Sequence, residues 1–194
     1  MRGPDEARSF RRRSVRLGVG MEYEFTLSFK LAASEADTDT LIERLGAAGC
    51  DDALVGIGQA GRVALNFTRE AGSAQEAIVS ALRDVKRAIP DARLVEAGPD
   101  LVGLTDIAEL VGVTRQNMRK LSLAYPESFP VPVHSGSVAL WHLSHVLRWL
   151  SDRDGYVIKP PIMEVARVTM QVNLVKEAAL IEHCVRREVR DLVA

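Results

Sequence analysis

The stretch RVALNFT, residues 62–68, decides how the first half of this chain can fold. Val63, Leu65 and Phe67 alternate with Ala64, Asn66 and Thr68, the period of two of a half-buried strand. It follows directly on GIGQAG, residues 56–61, whose G-x-G-x-x-G spacing is that of a loop cradling a dinucleotide pyrophosphate. That chemistry needs the last glycine to open a helix, so that backbone N–H groups converge on the phosphates. A strand in that place removes the donors. The glycines then read as the connection of a β-hairpin with the preceding apolar run ALVGI, and no cofactor is expected.

Around this hairpin, residues 21–99 read as strand 22–31, helix 36–48, strand 53–57, strand 62–68, helix 73–89 and strand 92–97. The second helix places Ala74, Ala77, Ile78, Ala81, Leu82 and Val85 on one face, with Ser73 to cap it and Pro90 just past its end. The βαββαβ order resembles a ferredoxin-like sandwich, two helices on one face of a four-stranded sheet, so the expected fold class is α+β. RNA-recognition motifs share the order, but they stack bases on aromatic residues of the third strand. GRVALNFT offers only Phe67, and residues 21–99 carry five more acidic than basic side chains. RNA binding is therefore not expected here. A dimerising or ligand-sensing module, a docking surface for a protein partner and a plain packing domain all stay open.

The formal net charge of −1 would argue against nucleic acid if it were evenly spread. Residues 1–20 instead hold six arginines against Asp5 and Glu6, with little that could pack. They read as a basic disordered arm, either touching DNA phosphates or preceding a biological start at Met21. The composition, 47% hydrophobic and 26% charged, is that of a soluble globular chain, and no apolar run is long enough to span a bilayer. Residues 1–20 lack the apolar core of a signal peptide. Cys50 and Cys184 have no second cysteine at metal-ligand spacing, so no disulfide framework is expected and a cytoplasmic location follows as the default.

Gly98-Pro99-Asp100 punctuates the chain, and a second domain is read over 100–159. LTDIAELVGVTRQNMRKLSLA, residues 104–124, reads as helix, tight turn, helix. Thr105 is placed to cap the first helix, with Ile107, Ala108, Leu110 and Val111 inward and Gly112 at the turn. Thr114 caps the second, which Met118 and Leu121 pack back, leaving Arg115, Gln116, Asn117, Arg119 and Lys120 outward. This is the helix-turn-helix spacing that puts a second helix into the major groove of double-stranded DNA. Next come Phe129-Pro130-Val131-Pro132-Val133, a polar turn at His134, Ser135, Gly136 and Ser137, a returning Val138-Ala139-Leu140-Trp141, and an apolar helix ending in Trp149-Leu150. That order reads as a β-hairpin wing, with His134, Ser135 and Ser137 at its tip, followed by a helix.

Three marks in order, L-T-D-I-A-E-L-V-G-V-T-R, F-P-x-P-V and the W-x-x-x-x-V-x-x-W-L spacing of Trp141, Val146, Trp149 and Leu150, make residues 101–151 resemble the AlpA-like phage regulators and excisionases of the MerR-type winged-helix group. The resemblance implies DNA binding, commonly for transcriptional control. The arginine-rich wing usual in that family is missing here. MerR-type proteins often follow the DNA-binding domain with a dimerising helix, and residues 160–194 look similar. Residues 162–194 contain no Gly or Pro and carry Leu174, Ala178, Ile181, Val185, Val189 and Leu192 at steps of three or four, an apolar stripe on a helix. Packing of this helix on the first domain's own sheet is the competing reading.

His142 and His145 are three apart on an expected helix, but no acidic or cysteine partner lies near them in sequence, so packing or a phosphate contact is read rather than a metal. No nucleophile, base and orienting residue assemble from spacing, and no enzyme is expected. The sequence thus reads as a homodimeric, operator-occupying DNA-binding regulator. Its rival is an antitoxin or adaptor whose first domain grips a protein partner and whose DNA binding serves autoregulation.

Overall fold

The structure, a computed structural model, describes residues 20–32, 37–58 and 61–193. Among these residues the chain is α+β, with seven α-helices and two antiparallel sheets. The basic arm read from the sequence lies, but for Gly20, outside the described residues.

The first half runs β1 (Met21–Lys30), α1 (Thr38–Ala47), β2 (Ala53–Gly56), β3 (Arg62–Ala71), α2 (Ala74–Ala88) and β4 (Arg93–Gly98). The sheet has the order β2-β3-β1-β4. β1 buries Tyr23, Phe25, Leu27 and Phe29 and turns the residues between them the other way. β3 answers with Val63, Leu65 and Phe67 in register, and Phe25 and Phe67 stack with ring centroids 5.2 Å apart. Each such side chain, fully buried, contributes roughly 2 kcal/mol. Leu41 and Leu45 of α1, and Ala77, Ile78, Ala81 and Val85 of α2, close over that face. Ser73 caps α2, its Oγ accepting from the Glu76 N–H at 3.1 Å. The glycine pattern falls in the β2–β3 hairpin, with Gly56 opposite Ala64 and Gly61 at φ +75°, so a strand follows it and no helix opens. β3 runs to Ala71, beyond the expected end at 68, because its ladder with β1 continues to Met21.

The second half runs β5 (Leu101–Val102), α3 (Leu104–Val111), α4 (Arg115–Ala124), β6 (His134–Ser135), β7 (Ala139–His142), α5 (Leu143–Ser151), α6 (Pro160–Ala178) and α7 (His183–Val189), with a 3-10 turn at Arg190–Leu192. β5, β7 and β6 form the second sheet in that order. Its core gathers Val102, Ile107, Ala108, Met118, Phe129, Trp141, Leu143, Val146, Leu147 and Leu150.

The C-terminal segment departs from the single helix expected. α6 ends at Ala178, and α7 begins only at His183. α6 serves both cores: Val165 and Val168 join the first, Ala166 the second. It also closes the outer edge of β4, where an exposed strand would otherwise offer unpaired backbone groups. The Asn173 amide accepts from the Ala97 N–H at 2.9 Å and donates to the Ala97 carbonyl at 2.8 Å, and Lys176 donates to the carbonyl of Val95.

Candidate nucleic-acid interface

The second core is built from the residues that mark the sequence. Phe129 lies edge-on to Trp141 and Trp149, with centroids 6.1 and 4.9 Å away. Trp141 donates its indole N–H to the Pro130 carbonyl at 2.9 Å, fixing the F-P-x-P segment against β7. The Arg153 guanidinium lies between the rings of Tyr125 and Trp149, 3.9 and 3.8 Å from their centroids. Sequence reasoning misses this contact: Trp149 and Arg153 are four apart, but Tyr125, which supplies the other ring, lies far away in the chain and leaves no local pattern.

On this support α3 and α4 form a tight helical pair. α3 starts two residues earlier than a Thr105 cap would set it: Gly103 is the N-cap of a helix that begins at Leu104, and the Asp106 carboxylate accepts from the Gly103 N–H at 2.8 Å. Thr105 is therefore inside the helix. Ile107 and Ala108 are buried, with Leu110 and Val111 packed at the rim. Gly112 turns the chain at φ +74°, a left-handed conformation that glycine adopts without a steric penalty. Thr114 then caps α4, its Oγ1 accepting from the Asn117 N–H at 3.1 Å. Met118 is fully buried.

Arg115, Gln116, Arg119 and Lys120 are exposed, Thr114 is exposed at the cap, and Asn117 is half-buried. Arg115 and Arg119 are four apart on one face of α4, as are Gln116 and Lys120 on the next. None of these side chains donates to another group among the described residues, and the first turn of α4 holds no acid. The result is a row of long, unengaged donors at a capped helix N-terminus, whose macrodipole adds positive potential. Such a row can bond phosphates and base edges.

His134 and Ser135 lie in β6, paired with Leu140 and Ala139 of β7, and Ser137 lies in their connection; all three are exposed. The flanking Val131, Val133 and Val138 are exposed as well. The hairpin therefore offers small polar and apolar groups rather than cations.

His142 departs from the helix expected for it. It ends β7, opposite Leu101, because strand pairing and a 2.7 Å bond from its Nδ1 to the buried Asp100 carboxylate hold it there. Asp100 also accepts from Asn173 at 2.8 Å and, through its carbonyl, from the Leu143 N–H at 2.7 Å. This hub ties β5, β7, α5 and α6 together, and no spacing in sequence announces it. His145 lies beside His142, ring centroids 5.4 Å apart. Among the described residues no three His, Cys, Asp or Glu side chains are grouped to hold a metal ion, and no helix is long and apolar enough to cross a membrane. No protein-family model, curated protein or solved structure matches this chain.

Proposed function

We propose that this protein is a sequence-specific DNA-binding transcriptional regulator that acts as a cytoplasmic homodimer by occupying an operator. In this reading α3 and α4 are a helix-turn-helix of the AlpA-like, MerR-type winged group, α4 enters the major groove, and the β6–β7 hairpin is a wing bracing the neighbouring backbone. The first half is a ferredoxin-like unit that dimerises. The order β2-β3-β1-β4 with two helices over one face supports that assignment. The observation that carries the functional reading is the exposed, unengaged set Arg115, Gln116, Arg119 and Lys120 on a helix whose opposite face is locked by Met118.

The wing lacks arginine, so affinity in this reading rests on α4, with the wing adding apolar and hydroxyl contacts. Selection of bound duplexes from a randomised pool tests the proposal. A two-fold DNA-reading dimer enriches two related half-sites about one helical turn apart, ~34 Å centre to centre. A pool that stays random after repeated rounds would contradict the reading and favour the adaptor.

A further inference from the structure

The sheet face turned away from α1 and α2 carries charge in an arrangement that the single chain does not use. Glu22 stands directly opposite Glu70, and Lys30 directly opposite both Arg62 and Arg93. Like charges opposed across antiparallel strands are destabilising. None of these five side chains finds an ion-pair partner among the described residues. Midway between the acidic and basic ends runs a row with one residue from each strand: Leu54, Asn66, Thr26 and Gly98. Thr26 donates its hydroxyl to Asn66 Oδ1 at 2.7 Å, and Leu54 is 76% exposed on the same face. Glu22 and Lys30 lie equally far on either side of Thr26, as Glu70 and Arg62 do about Asn66.

We propose that this face is the interface between two copies of the chain, packed sheet to sheet about a two-fold axis that lies between the sheets and crosses the strands at the Thr26–Asn66 row. The inference rests on the homodimer proposed above and names its surface. Rotation about that axis reverses strand direction while keeping each strand over its own counterpart. Glu22 of one copy then meets Lys30 of the other, Glu70 meets Arg62, and the two Leu54 side chains meet at the axis. An axis along the strands would instead set acid over acid, so the charge pattern selects one orientation. Gly98, Ala64 and Ser28 keep the centre low enough for two sheets to approach to the ~10 Å of face packing. Leu110 of α3, with Pro99 and Ile162, shares a cleft of about 400 Å³ with Thr26, Asn66 and Leu54 of the row itself, which sets the proposed DNA-reading unit beside the axis.

Two single substitutions in the full chain, followed by sedimentation equilibrium, test this. Glu22→Lys and Lys30→Glu each replace a like-charge pairing within one sheet by an opposite-charge pairing, so each variant should fold at least as well as wild type by circular dichroism. Each should nonetheless dimerise at least about tenfold more weakly, because like charges now meet twice across the two-fold axis. An equimolar mixture of the two variants should recover wild-type association. In the mixed dimer the introduced lysine of one copy faces the introduced glutamate of the other, and the second contact keeps the native Glu22 and Lys30. A wild-type chain that stays monomeric, variants that dimerise as wild type does, or a mixture that fails to recover would each overturn the proposal. Loss of DNA binding with dimerisation intact would instead count against α4, so the two failures are separable.

Discussion

Asn173, in the second half of α6, holds both backbone groups of Ala97 in β4, accepting at 2.9 Å and donating at 2.8 Å, as a neighbouring strand would. A single side chain thus finishes the edge of a sheet while its amide also reaches Asp100. Asn173→Leu keeps the bulk and removes all three bonds. It is expected to cost about 2–3 kcal/mol, the penalty of leaving part-buried backbone and carboxylate groups unpaired, read from the urea midpoint. An unchanged midpoint would show that water replaces the amide without loss.

Arg69, on the interior strand β3, ties the α1–β2 connection to α2. Its guanidinium bonds Asp52 at 2.6 and 2.9 Å, Asp84 at 2.8 Å, Ser80 and the Gly49 carbonyl, and it lies over the Phe67 ring. The two carboxylates hold its proton more tightly than in water, against the opposing effect of burial. Arg69→Met strips Asp52 of this partner and leaves Asp84 with the exposed Arg87. The expected loss is about 3 kcal/mol. Calorimetry at neutral pH measures it, and a loss no larger than that of a surface substitution would show that the network is not structural.

The two cysteines should separate cleanly by reactivity. Cys50 is buried, and burial, with Asp84 beside it, pushes its thiol up to about 11, while Cys184 is exposed. The thiolate is the reactive form. Iodoacetamide at mildly alkaline pH is expected to label the native protein once, at Cys184, and to reach Cys50 only in denaturant. Peptide mapping that finds Cys50 labelled under native conditions would refute the packing of the α1–β2 corner.

Acid should weaken the fold through His145. His145 stands exposed on α5, but partial desolvation where its ring lies against His142, then the neighbouring His142 and Arg148, hold its imidazole below the ordinary histidine value, with Asp100 pulling the other way, so the effect on stability is small. The unfolded chain therefore takes up this proton first as pH falls. The contribution is complete above about pH 6.5 and is lost as pH drops through the lowered folded value. Melting temperature should fall on acidification across that range, and fall less in His145→Gln. Parallel curves for the two proteins would exclude His145 as the source.

What is legible in the sequence is what local pattern determines. Ser73 and Thr114 stand before apolar periods of the right spacing, and both cap their helices. The alternation at Val63, Leu65 and Phe67 suffices to turn a nucleotide-like glycine pattern into a hairpin. The sequence misleads where a distant partner decides. His142 belongs to a strand because Leu101 and Asp100 hold it. Thr105 loses the cap to a local competitor, since Asp106, three residues after Gly103, satisfies the Gly103 N–H and lets the helix begin at Leu104. The C-terminal stripe has helical spacing, yet the helix breaks between Ala178 and His183 without Gly or Pro. The buried part of α6 faces two cores, so its apolar residues do not form the single stripe that periodicity detects. Of the proposed DNA-reading residues, all but the half-buried Asn117 stand exposed, which is as far as spacing alone can carry them.

The most direct test of the central claim compares Arg115→Ala, Arg119→Ala and Lys120→Ala on a selected operator and on a scrambled duplex, by fluorescence anisotropy across a salt series. Arginines in the first turns of a groove-reading helix pair with base edges, so each arginine variant is expected to lose roughly 1–3 kcal/mol on the operator and far less on the scrambled duplex. Lys120, placed later, serves a phosphate, and its removal should weaken both complexes alike and reduce the salt slope by about one. Circular dichroism should be unchanged in all three, because these side chains point away from Met118. Folded arginine variants that bind the operator as wild type does would contradict the account and leave α3 and α4 an ordinary helical hairpin with a solvated face.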